Sequence, residues 1–328
     1  MSTTSVPYRN RQSIEALSAV TGLRQRLLAF LFPAASDSWL SILRIGLGLQ
    51  VGLYCLSLRG DWSYIFSASS SALISRELME GILNAQSHLI PRLGWLVGIG
   101  ERLGVSEGAA LWTVWAALLI AACCLLVGLF CRAAAITAWL LHLCAVESGG
   151  LLTYGMDNFT TIGLFYLMLA PFPDRYALDR KLRSLPLKDQ QLHGFWRRVL
   201  QLHVCAIYFF SGLTKCLGAE WWNGESVWRA LTRAPFNVIP AERILSWSGV
   251  LPIAGIAICV LETGYVFFIW PRNTRFIWLL AILGMHLAIG LTMGLYLFAL
   301  IMIVLNLAAF ASEFLKYLAS PDLTAVPH

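Results

Sequence analysis

The sequence predicts an all-α, polytopic membrane protein of about eight transmembrane helices, with both termini cytoplasmic. Three observations predict it. First, 58% of the 328 residues are hydrophobic and 13% charged, with mean hydropathy +0.69, against roughly 45–50% and 25% in soluble domains. A soluble fold of this length could not hide that much apolar surface, whereas lipid removes the need to hide it. Second, the apolar residues gather in runs at about 38–58, 109–130, 132–148, 154–172, 196–216, 249–270, 274–293 and 294–314. Several are long enough to cross a hydrocarbon layer of about 30 Å at about 1.5 Å per residue. Third, the cations are asymmetric: with the N-terminus inside, the inner segments hold fifteen Lys and Arg and the outer loops seven. That bias places both termini in the cytoplasm.

The elements follow in order. Residues 1–37 form a cytoplasmic or interfacial segment; its apolar stretch 27–35 follows Arg24 and Arg26, is short, and is interrupted by Pro33. It reads as an amphipathic piece lying in the interface rather than a cleavable leader. The transmembrane domain spans 38–315, and a cytoplasmic tail covers 316–328. The third and fourth runs are the shorter ones. The last two are separated only by a turn near Thr292–Gly294 and predict a tight hairpin. Two outer loops, 59–108 and 217–248, are long enough to carry structure or function of their own. The second opens with Trp221, Trp222 and Trp228 followed by Arg229 and Arg233, the pattern of a helix lying at headgroup level.

Composition also excludes classes. The net charge of +6 and pI near 9.0 fit basic cytoplasmic loops, and no basic-aromatic patch or binding motif points to nucleic acid. The implied partner is the lipid bilayer. Most of the eight cysteines lie in apolar stretches, where cysteine packs as a small hydrophobe. No CxxC or Cys/His spacing suggests a metal. No inverted repeat or paired broken helices suggest a transporter.

Ionisable residues inside helices carry the functional information, because each costs several kcal/mol unless paired or solvated. Lys215 ends the fifth run in YFFSGLTKCLGAEWWNG. Either it snorkels to the headgroups, or it sits where Ser211 and Gly212 mark a close helix approach. In such a pocket lost solvation favours the neutral amine, a base near neutrality. Glu262, in CVLETGYVFF, is a structural hydrogen-bonding group, a proton carrier, or the partner of a buried cation. His286, in GMHLAIGLTMG, is a packing residue unless it stands beside Lys215 and Glu262. Arg44, in LRIGLGL, lies within about two turns of the inner surface, where snorkelling accounts for it. Asp157, in TYGMDNF, opens the fourth run, where a carboxylate suits a helix N-terminus. Topology places Lys215, His286 and Asp157 towards the outer face, with Glu262 deeper. Cys216 adds a thiol beside Lys215, either packing or reactive.

At these residues the chain resembles the HTTM family, the membrane domain shared with vitamin K-dependent gamma-carboxylases. The strongest match is the block from Tyr208 to Gly224, similar to a Tyr-Phe…Gly-x-x-Lys…Trp-x-x-Gly block whose lysine is regarded as the catalytic base; Lys215 occupies that place. LRIGLGL around Arg44 looks like the family's first helix. Glu262 matches an acidic residue of the sixth helix, and His286–Leu287 the dipeptide opening the seventh-helix motif. The carboxylases carry a histidine just before their fourth helix; here that region reads Gly155, Met156, Asp157, Asn158. The chain also lacks the lumenal domain with which carboxylases recognise substrate, and resembles the short bacterial version found in toxin-maturation membrane proteins.

The resemblance implies a membrane enzyme using a vitamin K-type hydroquinone. Lys215 would deprotonate the quinol, oxygen addition would generate a strong base, and that base would take a proton from a substrate carbon that then captures carbon dioxide. Glu262 and His286 would tune Lys215 or pass its proton onward, making Lys215, His286 and Glu262 the catalytic candidates. Asp157, Trp221 and Arg44 are the cofactor-binding candidates. The alternative is a non-enzymatic maturation or assembly partner, binding a secreted peptide or another membrane subunit at the outer loops. A bacterial cytoplasmic membrane is the expected location.

Overall fold

The computed structural model describes residues 22–69, 72–184, 186 and 189–311. Arg9, Arg11, Lys316 and the tail 316–328 lie outside the described residues. Among those described, every regular element is helical and none is a strand. An N-terminal helix, α1, covers 22–31 and leaves Leu23, Leu27, Leu28 and Phe30 exposed. The long helix α2 (Ser38–Ser57) follows, then three short ones, α3 (Trp62–Phe66), α4 (Arg76–Gln86) and α5 (Leu93–Arg102). Next come α6 (Glu107–Val127), α7 (Cys131–Gly149), α8 (Gly155–Leu169), the short α9 (Leu178–Arg183) and the longest helix, α10 (Gln190–Leu217). Three short pieces, α11 (Ala219–Trp222), α12 (Glu225–Thr232) and α13 (Ala241–Leu245), lead to α14 (Val250–Phe268), α15 (Arg272–Met293) and α16 (Tyr296–Asn306). A π-helical turn, Leu307–Ala311, continues α16.

Five of these helices, α2, α6, α10, α14 and α15, are long and apolar enough to cross a membrane. Three more fall in the remaining apolar runs. α7 has 19 residues but carries Arg132 in its first turn and Glu147 near its end. α8 has 15 residues, a rise of about 22 Å, short of a full hydrocarbon layer. α16 has 11 before its π turn.

The two long loops, 59–108 and 217–248, are folded. In the first, the buried guanidinium of Arg92 ties the chain together, donating to Ile90 O at 2.9 Å, Asn84 Oδ1 at 2.8 Å and Ser87 O at 2.8 Å. Trp62 Nε1 donates to Leu111 O at 2.9 Å and Leu93 N to Ser148 Oγ at 2.8 Å, fastening the loop to α6 and α7. In the second, the single headgroup helix expected over Trp221–Arg233 is two helices. Gly224, at φ +83°, breaks it where the chain touches α14: a Cβ there would lie 2.6 Å from Pro252 N. Only glycine adopts that backbone against a neighbouring main chain without strain.

α16 organises the bundle. On one side it packs against α2 and α8, which with α6 and α7 make a first group; on the other it meets α10 and α15, which with α14 make a second. Small residues allow the closeness, as is usual where helices meet without a hydrophobic drive from water. A Cβ on Gly46 would lie 2.4 Å from Val304, and one on Gly163 would lie 2.9 Å from Leu47. Gln201 Nε2 on α10 donates to Ala309 O at 2.7 Å within the π turn. By contrast α14 and α15 expose Ile253, Val260, Phe267, Ile277, Leu280 and Leu291, the surface that lipid would cover.

Candidate functional site

The site is built where α10 and α14 run antiparallel in main-chain contact. A Cβ on Gly212 would lie 2.5 Å from Thr263 N and 3.0 Å from Glu262 C, so only hydrogen fits between the two backbones. One turn along α10, Lys215 Nζ reaches Glu262 Oε2 at 2.5 Å and donates to Ser211 Oγ at 2.7 Å. Trp221 closes the end of the pair, its ring centroid 5.3 Å from Nζ, within cation–π range. The Lys215 side chain is 20% exposed and that of Glu262 7%. Two charges taken this far out of water persist because each satisfies the other. Such a pair can hold its proton on the amine or pass it to the carboxylate without net charge entering or leaving the site.

Two turns earlier on the same face of α10, Tyr208 begins a second polar group. Asn306 Nδ2 donates to Met302 O at 2.8 Å and to Tyr208 Oη at 2.7 Å, and Tyr265 Oη donates to Asn306 Oδ1 at 2.7 Å. A carbonyl only accepts, so Met302 O fixes which end of the amide is the nitrogen. Tyr208 Oη and His286 Nε2 are hydrogen-bonded at 2.7 Å. His286 Nδ1 is an enclosed atom with no hydrogen-bond partner among the described residues. His286 therefore joins Lys215 through the face of α10, not by direct contact.

The remaining predicted residues lie elsewhere. Arg44 is at the other end of the molecule: the first turns of α10 adjoin the entry to α2 through Ala35 N and Gln190 O at 3.1 Å. It does not snorkel. Its guanidinium is 1% exposed and donates to Asp174 at 2.7 and 3.2 Å and to Leu125 O at 2.5 Å. Ser41 Oγ donates to the same Asp174 carboxylate at 2.6 Å. These contacts join α2, the end of α6 and the 170–175 loop, which is a structural task. Nearby, Asp179 accepts from Cys131 N at 2.8 Å. Burial pushes its carboxyl up, but the N–H groups of Cys131 and Phe130, helped by the Arg183 guanidinium, outweigh that and hold it below the ordinary carboxylate range.

Asp157 lies towards the same end as Lys215 but in a separate cavity of about 180 Å³ between α2, α3, α7, α8 and α16. Tyr54, Phe66 and Tyr154 supply aromatic walls there, with Thr153 and Ser57 adding hydroxyls. One Asp157 oxygen accepts from Tyr154 N at 3.0 Å, closing a capping box at the start of α8. Among the described residues no three His, Cys, Asp or Glu converge as a metal site would require.

Sequence reasoning gave no role to Tyr208, Tyr265 or Asn306. A signal existed for Tyr208, which recurs with Ser211 and Lys215 at helical spacing along one face. Asn306, alone in an apolar run, is costly in lipid for the same reason as a charge, although less so.

No family model matches the chain, and neither does any curated protein or solved structure.

Proposed function

We propose that the chain is a membrane enzyme of the carboxylase-like kind, in which Lys215 abstracts a proton and Glu262 shares it. The observation that carries this reading is the ion pair of Lys215 with Glu262, 2.5 Å apart across the α10–α14 contact. Lys215 is the lysine of the Tyr208–Gly224 block that carries the family resemblance. As the amine gives up its proton to Glu262 it becomes the base; Ser211 and Trp221 hold its position, and His286 stands in a chain anchored on the same helix face.

Hydroquinone is the co-substrate implied by the resemblance, and when bound it supplies reducing equivalents and, with oxygen, the strong base for removing a carbon-bound proton. Asp157, Tyr54, Phe66 and Tyr154 line a cavity that Lys215 and Glu262 do not border, so a ring deprotonated by Lys215 would be held at the α10–α14 contact instead. The reading also takes α7, α8 and α16 as crossings beside the five long helices, giving eight, with both termini cytoplasmic in a bacterial cytoplasmic membrane.

The test is incorporation of labelled carbon dioxide into a glutamate-containing peptide by the reconstituted protein given hydroquinone and oxygen. Activity lost in Lys215→Met and Glu262→Gln supports the reading. Activity indifferent to Lys215 sinks it. A second reading, a maturation or assembly partner, draws on Leu217, Trp222, Val238, Leu245 and Trp247, all exposed along 217–248. Co-purification of one specific membrane protein or peptide, unaffected by Lys215→Met and with no turnover detected, would favour it.

A further inference from the structure

We propose that Cys216 and Cys259 are a redox-active dithiol that closes into a disulfide between α10 and α14 by exchange with a disulfide-bearing substrate. The register of the two helices places them opposite each other. Gly212 meets Thr263, Lys215 meets Glu262, and Trp221 O lies where a Cβ of Gly255 would be, at 2.1 Å. As numbers rise along α10 and α11 they fall along α14, so one turn beyond the Gly212–Thr263 contact Cys216 faces Cys259. Cys216 Sγ lies 3.5 Å from Thr263 Oγ1, one turn of α14 from Cys259. Both cysteines are reduced in this structure.

Helices normally pack about 8–10 Å apart, too far for most disulfides, whose Cα atoms sit about 4.4–6.8 Å apart. The glycine crossing removes that obstacle, because main chain touches main chain one turn away. The two sulfurs also differ in the way an exchange site requires. Cys216 is half-buried, in the last turn of α10 beside the Lys215 ammonium, whereas Cys259 is fully buried behind it. The half-buried thiol is the one a substrate disulfide can reach, and an enclosed second thiol is placed to resolve the mixed disulfide.

The chemistry balances. The Cys216 thiolate attacks the substrate disulfide, forming a Cys216 mixed disulfide and expelling one substrate thiolate. The Cys259 thiol then loses its proton and attacks Cys216 Sγ, forming the Cys216–Cys259 bond and expelling the second thiolate. The protein's dithiol is oxidised by two electrons, the substrate disulfide is reduced to two thiols, and the protons released from the cysteines are available to those thiolates. The closed bond pins α10 to α14 beside Lys215 and one turn from Glu262. This dithiol stands whether or not Lys215 abstracts a substrate proton.

The experiment uses the full-length protein in lipid nanodiscs, reduced, freed of reductant, and exposed to oxidised glutathione as the probe. Remaining thiols are blocked with N-ethylmaleimide before digestion and mass spectrometry. The expected result is a link between the Cys216 and Cys259 peptides, lighter than the two free peptides by two hydrogens and cleaved by dithiothreitol. Cys259→Ser should trap a glutathione adduct on Cys216, and Cys216→Ser should show neither product. Folded wild-type protein, with its elution volume unchanged, that keeps both thiols free through the treatment overturns the proposal. So does a Cys259→Ser protein that carries no adduct on Cys216.

Discussion

Arg44 and Lys215 are both cations placed inside helices, and their surroundings separate a strut from a reactive group. Arg44 spends its donors on a carboxylate and two carbonyls at under 2% exposure, leaving nothing for a ligand. Removing one partner of such a pair strands a buried charge and costs about 3–5 kcal/mol. Arg44→Ala should therefore lower stability by about that much in a denaturant titration of the micelle-bound protein, whatever it does to activity. At the Lys215–Glu262 pair the expected signature is non-additive: Glu262→Leu alone destabilises, and Lys215→Met added to it recovers most of the loss, since neither charge then lacks its partner. Equal, additive losses in the double-mutant cycle would show that the two side chains do not depend on each other. Asp179 gives a pH dependence. Its carboxyl is held below the ordinary range in the fold, so its contribution is present above about pH 4 and is lost as pH falls towards its folded value. Melting curves from pH 6 down to pH 3 should show a decline that Asp179→Asn reduces. Lys215, Glu262 and His286 were legible in the sequence because ionisable groups are conspicuous in apolar runs. Tyr208, Tyr265 and Asn306 were not, because tyrosine and asparagine carry no charge to draw attention and their pairing joins three helices far apart in sequence.

At the scale of the helix, the α10–α14 crossing is the feature most exposed to a single substitution. Gly212→Ala puts a methyl where Thr263 N already lies at 2.5 Å, and neither main chain has a flexible end that could yield. Overpacking of this kind costs about 1–3 kcal/mol, and because the helices must part, the Lys215–Glu262 contact should lengthen with it. A Gly212→Ala protein as stable as wild type, with activity intact, would be incompatible with this packing. The hydropathy runs located the long helices to within a few residues, since twenty apolar residues in a row have few alternatives. They were silent on α3, α4, α5, α11, α12 and α13. Pieces of 4 to 11 residues are too short for periodicity to stand out, and their positions depend on contacts such as Arg92 with Ser87 O and Trp62 with Leu111 O. The expected headgroup helix over Trp221–Arg233 failed at Gly224 for that reason: the break is set by a collision with α14, which no local pattern encodes.

For the molecule as a whole, the cation bias predicts that segment 173–198 is cytoplasmic. A cysteine-specific, membrane-impermeant label on a single cysteine introduced there should react only after the cytoplasmic side is opened, and reaction from outside intact cells would invert the topology. The arrangement of helices around α16 was beyond the sequence, because a uniformly apolar segment does not say which neighbours surround it. Yet α16 is the most enclosed long element. It supplies Val304 to Gly46, Ala309 O to Gln201, and Asn306 to Tyr208 and Tyr265. Those receiving groups are all synthesised earlier. While the nascent chain is still being inserted, the amide of Gln201 and the hydroxyls of Tyr208 and Tyr265 stand in the membrane without the partners they have in the finished fold, and the glycine-lined grooves of both helix groups lie open. Insertion of this protein thus passes through a stage in which the polar groups of α10 and α14 precede the late helix that satisfies them.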